Sequence, residues 1–486
     1  MRTPLGSLIP PLLILGLALA PRARGDDAPA PLSREADYQR MFALLHLPMP
    51  GPLPAMADDP NRTPGARLLP DGRHWADGAG NGVGRSAWGT WSNYDEARAN
   101  PFPLTDPLRL KNGGAVTDAA AWWGMRRPEI LRDFETEIYG AIPKSTPSVT
   151  WEVTKVDPEA LGGTAVMKTV VGRIDNSAFP AANPHIELTL WIPAHAAGPV
   201  PMMIVVEGGG PSVPRPPGSP KSAPPPAAPE AATGPTAQQQ VLALGWGYGT
   251  FAATTVQADT GGGLCSGIIG LVNRGQPRQP GDWGALAAWS WGLSRTIDYL
   301  QTDRSVDATR LGVEGHSRWG KTALLAAACD SRWAICYASC SGEGGAKPSR
   351  RNWGETLDDV ASMSEYHWMA GNFLKYATHW GDLPVDSPEL MSLVAPRPLF
   401  VTGGTKDQWA DPHGEFLAAV AAGPVYRLLG RKDLGTAVMP APDAGLISGD
   451  LAFRYHEGPH TDALDWPVFL RFAARYFQAP GSVAMR

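Results

Sequence analysis

The sequence predicts an α/β fold with a mostly parallel central sheet and helices on both of its faces. After residue 235, apolar runs of strand length alternate with longer segments whose apolar residues recur at helical spacing. The stretch VPMMIVVE (200–207) is apolar almost throughout, which is typical of a strand buried on both faces. Because strands that alternate with helices usually pair in parallel, the predicted layers are helix, sheet and helix.

The chain divides into regions of different composition. Arg2 precedes an apolar run that ends in small residues, which is the pattern of a secretory signal peptide over residues 1–25. The product is therefore expected to be secreted or periplasmic. Residues 26–92 are polar, proline-rich and weakly periodic, so an extended or partly disordered arm is expected there. Residues 93–486 form the main domain, with a proline-rich surface insertion at 211–235.

The elements of the main domain follow from apolar spacing. A helix is predicted over 118–143, where Pro143 stops it. Its buried face holds four apolar residues: Trp122, Ile130, Leu131 and Phe134. Strands are predicted at 148–156, 165–174, 185–194, 200–210, 247–256, 310–315, 333–340 and 396–404. Helices are predicted at 282–302 and 321–330, and the segment 450–460 leads into a last helix at 465–478.

Composition narrows the possible partners. The net charge is −5 and no basic block occurs, which argues against nucleic acid and anionic membranes as partners. The four cysteines show no CxxC spacing and no cluster of metal-binding type is found, so neither a metal nor another cofactor is expected. The eighteen tryptophans fit core packing and sugar-stacking platforms equally well. A monomer is expected.

The segment LGVEGHSRWGKTALLAAACD (311–330) carries the strongest chemical signal. A short apolar run ends in Gly315, Ser317 stands at the turn, and an alanine-rich helix follows. This arrangement is typical of a nucleophile elbow, which puts the serine at a helix N-terminus where a developing negative charge is favoured. The usual second glycine comes one residue late, at Gly320. A glycine–serine turn before an ordinary helix is the alternative.

A nucleophilic serine needs a base, and the base needs an orienting acid. Asp407 follows the predicted strand 396–404, in the loop where the acid of such hydrolases stands. His456 and His460 both precede the last helix, and His460 is better located for an exposed imidazole. The order along the chain therefore predicts Ser317, Asp407 and His460 as a catalytic triad.

An oxyanion hole needs backbone N–H groups aimed at the developing charge. Arg318 directly follows the predicted nucleophile, so its backbone N–H is one candidate donor. The stretch EGGGPS (207–212) follows a buried strand and offers a second donor. A flexible glycine linker is the alternative there.

Six motifs stand in order between about Asn93 and the C-terminus: GHSRWGKTAL, SGEGGA, RRNWGE, YHW, APRPLFVTGGTKDQWADP and YHEGPH. They resemble the bacterial glucuronoyl esterases of carbohydrate esterase family 15. The resemblance implies an α/β-hydrolase fold built as a three-layer sandwich, a serine nucleophile and no metal. It also implies hydrolysis of the ester between (4-O-methyl-)glucuronic acid on xylan and lignin alcohols.

The resemblance implies roles for individual residues. Ser317 would be the nucleophile, His460 the base, and the Arg318 side chain would contact the oxyanion. Lys321 would bind sugar hydroxyls. Three further residues would contact the uronate sugar or are candidates for doing so: Glu355, Trp409 and Glu365.

The chain departs from fungal members of that family at two places. Many fungal members carry their triad glutamate where this chain has Cys340, so the acid must be Asp407, which resembles the alternative acid position of bacterial members. Glu343 is the nearest rival carboxylate. Fungal members also join cysteines beside the nucleophile and the histidine by a disulfide, whereas this chain has His316 and Thr461 there.

Two other functions remain possible from the sequence. Another exported polysaccharide esterase, of the acetyl-xylan type, needs the same triad but not the uronate contacts of Lys321, Glu355 and Trp409. A carbohydrate-binding homologue could have kept the pocket and lost its activity, because Cys340 stands where the triad carboxylate would be. Asp407 argues against that last interpretation.

Overall fold

The computed structural model describes residues 32–100, 102–209 and 234–477, and a ten-stranded sheet dominates it. The predicted signal peptide and most of the predicted proline-rich insertion lie outside the described residues. The strands are β1 (Arg67–Leu68), β2 (Trp75–Ala76), β3 (Gly82–Val83), β4 (Val149–Glu159), β5 (Ala165–Ile174), β6 (His185–Pro193), β7 (Val200–Glu207), β8 (Gly247–Ala252), β9 (Val306–His316), β10 (Ile335–Ser339), β11 (Leu399–Gly404), β12 (Gly445–Leu446) and β13 (Leu451–His456).

The order of strands in the large sheet is β12-β13-β11-β10-β9-β7-β8-β6-β5-β4. The strands from β13 to β8 in this order all pair in parallel, whereas β12 and the run β6-β5-β4 pair antiparallel. The parallel part confirms the predicted α/β class. In β6 buried and half-buried residues alternate, which is typical of an antiparallel strand with one covered face.

Helices cover both faces of the sheet. The α-helices are α1 (Arg34–Leu44), α2 (Ala119–Ala121), α3 (Arg127–Asp133), α4 (Ala160–Gly163), α5 (Ala237–Ala243), α6 (Ala253–Val256), α7 (Gly267–Val272), α8 (Ala285–Leu300), α9 (Arg318–Cys329), α10 (Leu357–Val360), α11 (Ser387–Val394), α12 (Pro412–Leu428) and α13 (Trp466–Phe477). The apolar run of β7 is buried on both faces: Ile204 joins the core under α8 and α9, and Val205 joins the core under α5 and α13. The chain is thus a three-layer α/β-hydrolase sandwich.

Several predicted elements have different limits in the structure. The predicted strand 247–256 ends at Ala252, and its last residues form α6. The predicted helix 118–143 ends at Ile138, five residues before Pro143, and two of its turns are π-helical. Of the four residues of its predicted buried face, Trp122, Ile130 and Phe134 are buried and Leu131 is half-buried.

The N-terminal segment is more structured than its composition indicates. Within residues 26–92, where an extended arm was expected, the structure has α1 and the antiparallel sheet β1-β2-β3. Ser33 caps α1 by accepting a hydrogen bond from the Ala36 N–H. Met41 and Phe42 of α1 join the main core. The expectation is therefore wrong for α1, because burial of these apolar side chains outweighs the weak local pattern.

Candidate active site

The predicted nucleophile, Ser317, lies in the sharp turn between β9 and α9. Its backbone has φ 59° and ψ −128°, a conformation that residues other than glycine rarely adopt. The Ser317 N–H donates a hydrogen bond of 2.9 Å to the Ser339 carbonyl at the end of the neighbouring strand β10. The turn is therefore held in its strained conformation by the sheet.

The two glycines that flank Ser317 make the turn possible. A Cβ atom at Gly315 would lie 2.0 Å from the Trp319 carbonyl oxygen. One at Gly320 would lie 2.8 Å from the Ser339 carbonyl oxygen. Neither position has room for a side chain, so Gly320 meets a close backbone approach although it comes one residue late in the motif.

Helix α9 begins at Arg318, directly after Ser317. The first N–H groups of a helix have no carbonyl partner within the helix, and the helix dipole is positive at this end. The backbone N–H of Arg318 is therefore available to an oxyanion that forms at Ser317. Of the stretch 207–212, the structure describes only the first three residues, and Gly208 lies near Trp319 at the start of the same helix.

Asp407 and His460 meet at the C-terminal ends of β11 and β13. His460 Nδ1 lies 2.7 Å from Asp407 Oδ2. The Asp407 side chain is 4% exposed and the His460 side chain is 40% exposed. A buried carboxylate at this nitrogen leaves Nε2 of the exposed ring free to act on substrate. No hydrogen bond joins His460 to Ser317 among the described residues, which is common before a substrate binds.

Two further side chains lie close to His460. The His316 ring lies 4.2 Å from the His460 ring, centroid to centroid. Burial and the neighbouring histidines lower the pKa of His316 to about 3, so its ring stays neutral beside His460. A sulfur, a nitrogen and an oxygen atom of Cys340, His460 and Asp407 lie within 4.8 Å of one another. Cys340, where the resemblance implies the glutamate of fungal members, thus adjoins the Asp407–His460 pair.

The rival residues are engaged elsewhere. His456 is fully buried, with Nδ1 2.9 Å from Asp465 Oδ2 and Nε2 2.9 Å from the Pro459 carbonyl oxygen. Glu343 is also fully buried and pairs with Lys347 at 3.2 Å. Burial raises the pKa of Glu343 to about 7, although the Lys347 charge opposes this.

The predicted sugar ligands Lys321 and Glu355 form one buried cluster next to the serine turn. Lys321 Nζ donates hydrogen bonds to the Ser341 carbonyl at 2.7 Å and to Glu355 Oε2 at 3.0 Å. The Glu355 oxygen also accepts the Glu343 N–H at 3.0 Å. Lys321 is therefore not a solvated surface lysine, since its charge is paired inside the protein.

Trp409 is joined to this cluster through its backbone, because its carbonyl accepts the Glu355 N–H at 2.8 Å. Its half-buried ring packs on Gly84, where a Cβ atom would lie 3.2 Å from the ring. With Trp75 and Tyr94 it lines a cavity of about 640 Å³ beside Asp407. Contact between Trp409 and a sugar stays a prediction.

One charged residue near the site was not predicted. Asp259 lies in the loop after α6, and its Oδ2 accepts a hydrogen bond of 2.7 Å from the Arg318 guanidinium. The loop sequence QADTGGG has no motif that indicates this contact. Only the fold brings Asp259 to a residue 59 positions later in the chain.

The arrangement can support acyl transfer. A strained serine stands at a helix N-terminus, a histidine is oriented by a buried carboxylate, and two cations lie on the first turn after the serine. These are the parts required for a nucleophile, a base and the stabilisation of an oxyanion.

The four cysteines are all free thiols.

Comparison of the sequence with known proteins identifies its family. A family profile described as glucuronyl esterase of fungi matches residues 278–430. A carbohydrate esterase from an unknown prokaryotic organism is 34% identical over 400 residues, covering 78% of this chain and 91% of the relative. The 4-O-methyl-glucuronoyl methylesterase of Cerrena unicolor is 29% identical over 71% of this chain and 65% of its own length.

Solved structures agree with the sequence matches. A glucuronoyl esterase of carbohydrate esterase family 15 from Teredinibacter turnerae is 35% identical, with a TM-score of 0.76 over 92% of this chain and 100% of that structure. The glucuronoyl esterase of Solibacter usitatus is 40% identical, with a TM-score of 0.68 over 78% of this chain and 99% of that structure. The likeness thus extends over whole relatives as well as single motifs, and the chain belongs to carbohydrate esterase family 15, the glucuronoyl esterases.

Proposed function

We propose that the protein is a serine carboxylesterase that hydrolyses the ester between (4-O-methyl-)glucuronic acid of glucuronoxylan and lignin alcohols. The observation that carries this proposal is the placement of Arg318 and Lys321 on the first turn of α9, beside Ser317. A uronate ester is neutral, but its cleavage creates an oxyanion and then a carboxylate. Cations at this place favour the charged species over the neutral ground state.

The proposed reaction begins with attack on the ester carbonyl. His460 Nε2 takes the proton of Ser317 Oγ as the Oγ–carbon bond forms, and the carbonyl oxygen becomes an oxyanion. Asp407 accepts a hydrogen bond from the Nδ1–H group of His460 and stabilises the imidazolium. The Arg318 backbone N–H and guanidinium face the oxyanion. Collapse breaks the bond to the lignin alcohol, which leaves with the proton from His460.

Water completes the proposed cycle. His460 takes a proton from a water molecule, whose oxygen attacks the glucuronoyl ester of Ser317. The second oxyanion collapses and the Ser317 oxygen regains its proton from His460. The glucuronoxylan leaves with a free carboxyl group, which then loses its proton to solvent. Lys321 and Glu355 bind the sugar hydroxyls throughout, because their buried pair presents both a donor and an acceptor.

Arg318 is expected to act on the transition state more than on substrate binding. Arg318→Ala should lower kcat by about 10²-fold, the range seen when a single oxyanion donor is removed, with a smaller rise in KM. Steady-state kinetics on benzyl glucuronate would measure the two constants separately. A change in KM alone would instead make Arg318 a substrate anchor.

The affinity for the uronate ester is expected to weaken as pH rises through about 8. Burial, reinforced by the charge of Glu355 and opposed by Lys321, raises the pKa of Glu365 to about 8. The neutral carboxyl present below that pH can donate a hydrogen bond, whereas the ionised form adds a second negative charge beside Glu355. KM should therefore be low below pH 8 and rise above it.

Measurements of KM between pH 6 and pH 9 would test this prediction. Glu365→Gln is the matched control, because an amide keeps the shape and the donor but does not titrate. The step in KM should be absent in that variant. A step of equal size in Glu365→Gln would assign the titration to another group.

Comparison of two substrates would test the proposed function. The purified protein is expected to cleave benzyl glucuronate and to act poorly on an acetylated xylan. The reverse preference would favour an acetyl-xylan esterase. Failure on both substrates, together with no fluorophosphonate label on Ser317, would indicate a carbohydrate-binding homologue without activity.

We also propose that the enzyme acts as a secreted or periplasmic monomer, with residues 1–25 as its export signal and 93–486 as its catalytic domain. The N-terminal charge and apolar run support the signal. Among the described residues, no helix has the length and apolar character needed to cross a membrane.

A further inference from the structure

Asp259 forms an ion pair with the guanidinium of Arg318. Arg318 NH1 donates a hydrogen bond of 2.7 Å to Asp259 Oδ2. In the part of the chain that the structure describes, this is the only hydrogen bond that the Arg318 side chain makes. The Arg318 side chain is 43% exposed, so its remaining donors are open to solvent.

The other oxygen of Asp259 is held by two donors from one short segment. Trp368 Nε1 donates to Asp259 Oδ1 at 2.6 Å, and His367 Nε2 lies 2.9 Å from the same oxygen. Burial lowers the pKa of His367, so its ring is neutral and Nε2 carries the proton. The ring of Trp368 also lies 5.1 Å from the guanidinium of Arg318. The YHW motif thus contacts both partners of the Asp259–Arg318 pair.

The loop that carries Asp259 is itself anchored. Gln257 is fully buried, and its side chain donates to the Gly263 carbonyl at 2.9 Å and accepts from the Ile269 N–H at 3.2 Å. The Trp289 indole donates to the Gln257 carbonyl at 2.8 Å. These contacts fix the backbone on both sides of Asp259.

The charge state of Asp259 suits this arrangement. Burial alone would raise the pKa of this carboxyl, but the hydrogen bond from His367 and the charge of Arg318 overcome it and hold the pKa below its ordinary value. An ionised Asp259 fixes one end of a side chain that would otherwise sample many rotamers. Holding a donor in advance of the reaction is what makes an oxyanion site effective.

We infer that Asp259 is a positioning residue that acts through Arg318, orienting its guanidinium toward the oxyanion at Ser317. This inference rests on the proposed role of Arg318. The alternative is an ordinary surface ion pair, which would contribute slightly to folding stability and nothing to catalysis. The two interpretations predict different effects of an Asp259 substitution on kcat, and only the first makes that effect depend on Arg318.

A double-mutant cycle separates them. Asp259→Asn keeps the shape but removes the charge, and it should lower kcat about tenfold while KM stays within about twofold, since part of the oxyanion donor's effect is lost. In an Arg318→Ala background the same change should have no further effect, because the group that it positions is gone. Asp330→Asn is the matched control, as Asp330 pairs with Arg332 at the same distance, 2.7 Å. It should leave kcat unchanged.

The cycle is measured on two reactions, cleavage of benzyl glucuronate and the rate of fluorophosphonate labelling of Ser317. If the wild type labels but does not cleave the uronate, the proposed substrate is wrong, and the labelling rates still decide the role of Asp259. Equal effects of Asp259→Asn with and without Arg318 would overturn the inference. So would a loss of melting temperature with unchanged kcat.

Discussion

Ser317→Ala is expected to lower the rate of ester cleavage by several orders of magnitude while the protein stays folded. The variant loses the oxygen that forms the acyl-enzyme, so only binding and oxyanion stabilisation remain to accelerate the reaction. Single-turnover kinetics and fluorophosphonate labelling would both report the loss. Near-normal turnover would end the hydrolase interpretation of this site.

The strained backbone of Ser317 offers a second variant that checks folding. Alanine keeps the Cβ atom and therefore the strain at φ 59°, so the melting temperature of Ser317→Ala should match that of the wild type. Ser317→Gly should also be inactive but more stable, because a residue held in such a region costs about 1–3 kcal/mol. A lower melting temperature for Ser317→Gly would mean that the turn is not strained.

Asp407→Asn is expected to lower kcat by up to about 10⁴-fold with little change in the fold. An asparagine in this place donates where the aspartate accepts, so it favours the wrong tautomer of His460 and cannot stabilise the imidazolium. The loss should appear in kcat, with KM much less affected, because the pair acts on the chemical step. Kinetics on benzyl glucuronate would measure it.

Two control variants make this prediction specific. Asp465→Asn changes the second aspartate–histidine pair, Asp465 with His456, which is buried and remote from solvent. Glu343→Gln removes the rival carboxylate and should mainly reduce stability, because it leaves the buried charge of Lys347 without its partner. If Glu343→Gln abolished kcat in folded protein and Asp407→Asn were mild, the assignment of the acid would be wrong.

The sequence predicts the centre of the fold well, because each buried strand has a local apolar signature. The continuous apolar run of β7 and the alternation of buried and half-buried residues in β6 both follow from the local sequence, without knowledge of the neighbouring strands. Helix α1 was missed because its stability depends on contacts far along the chain. Tyr38 donates its hydroxyl proton to the Ala361 carbonyl, and Tyr366 donates to Asp37. Such tertiary contacts leave no periodic signal.

The candidate site divides in the same way. Ser317, Asp407 and His460 follow strand ends, and strand ends of a parallel sheet meet at one edge, so their proximity can be predicted. The pairing of Lys321 with Glu355 inside the protein cannot be predicted from the sequence, since it requires the loop after β10 to come close to α9. Asp259 was missed for the same reason.

The free thiols have a practical consequence for handling the enzyme. The His316 ring lies against His460, at a position where the resemblance implies a disulfide cysteine in fungal members, and Cys265, Cys329, Cys336 and Cys340 are all free thiols. Burial raises the pKa of the Cys336 and Cys340 thiols, which keeps them protonated and slow to oxidise. Its folding therefore needs no oxidant, so recombinant production in a reducing bacterial cytosol, and storage with dithiothreitol, should leave the active centre intact.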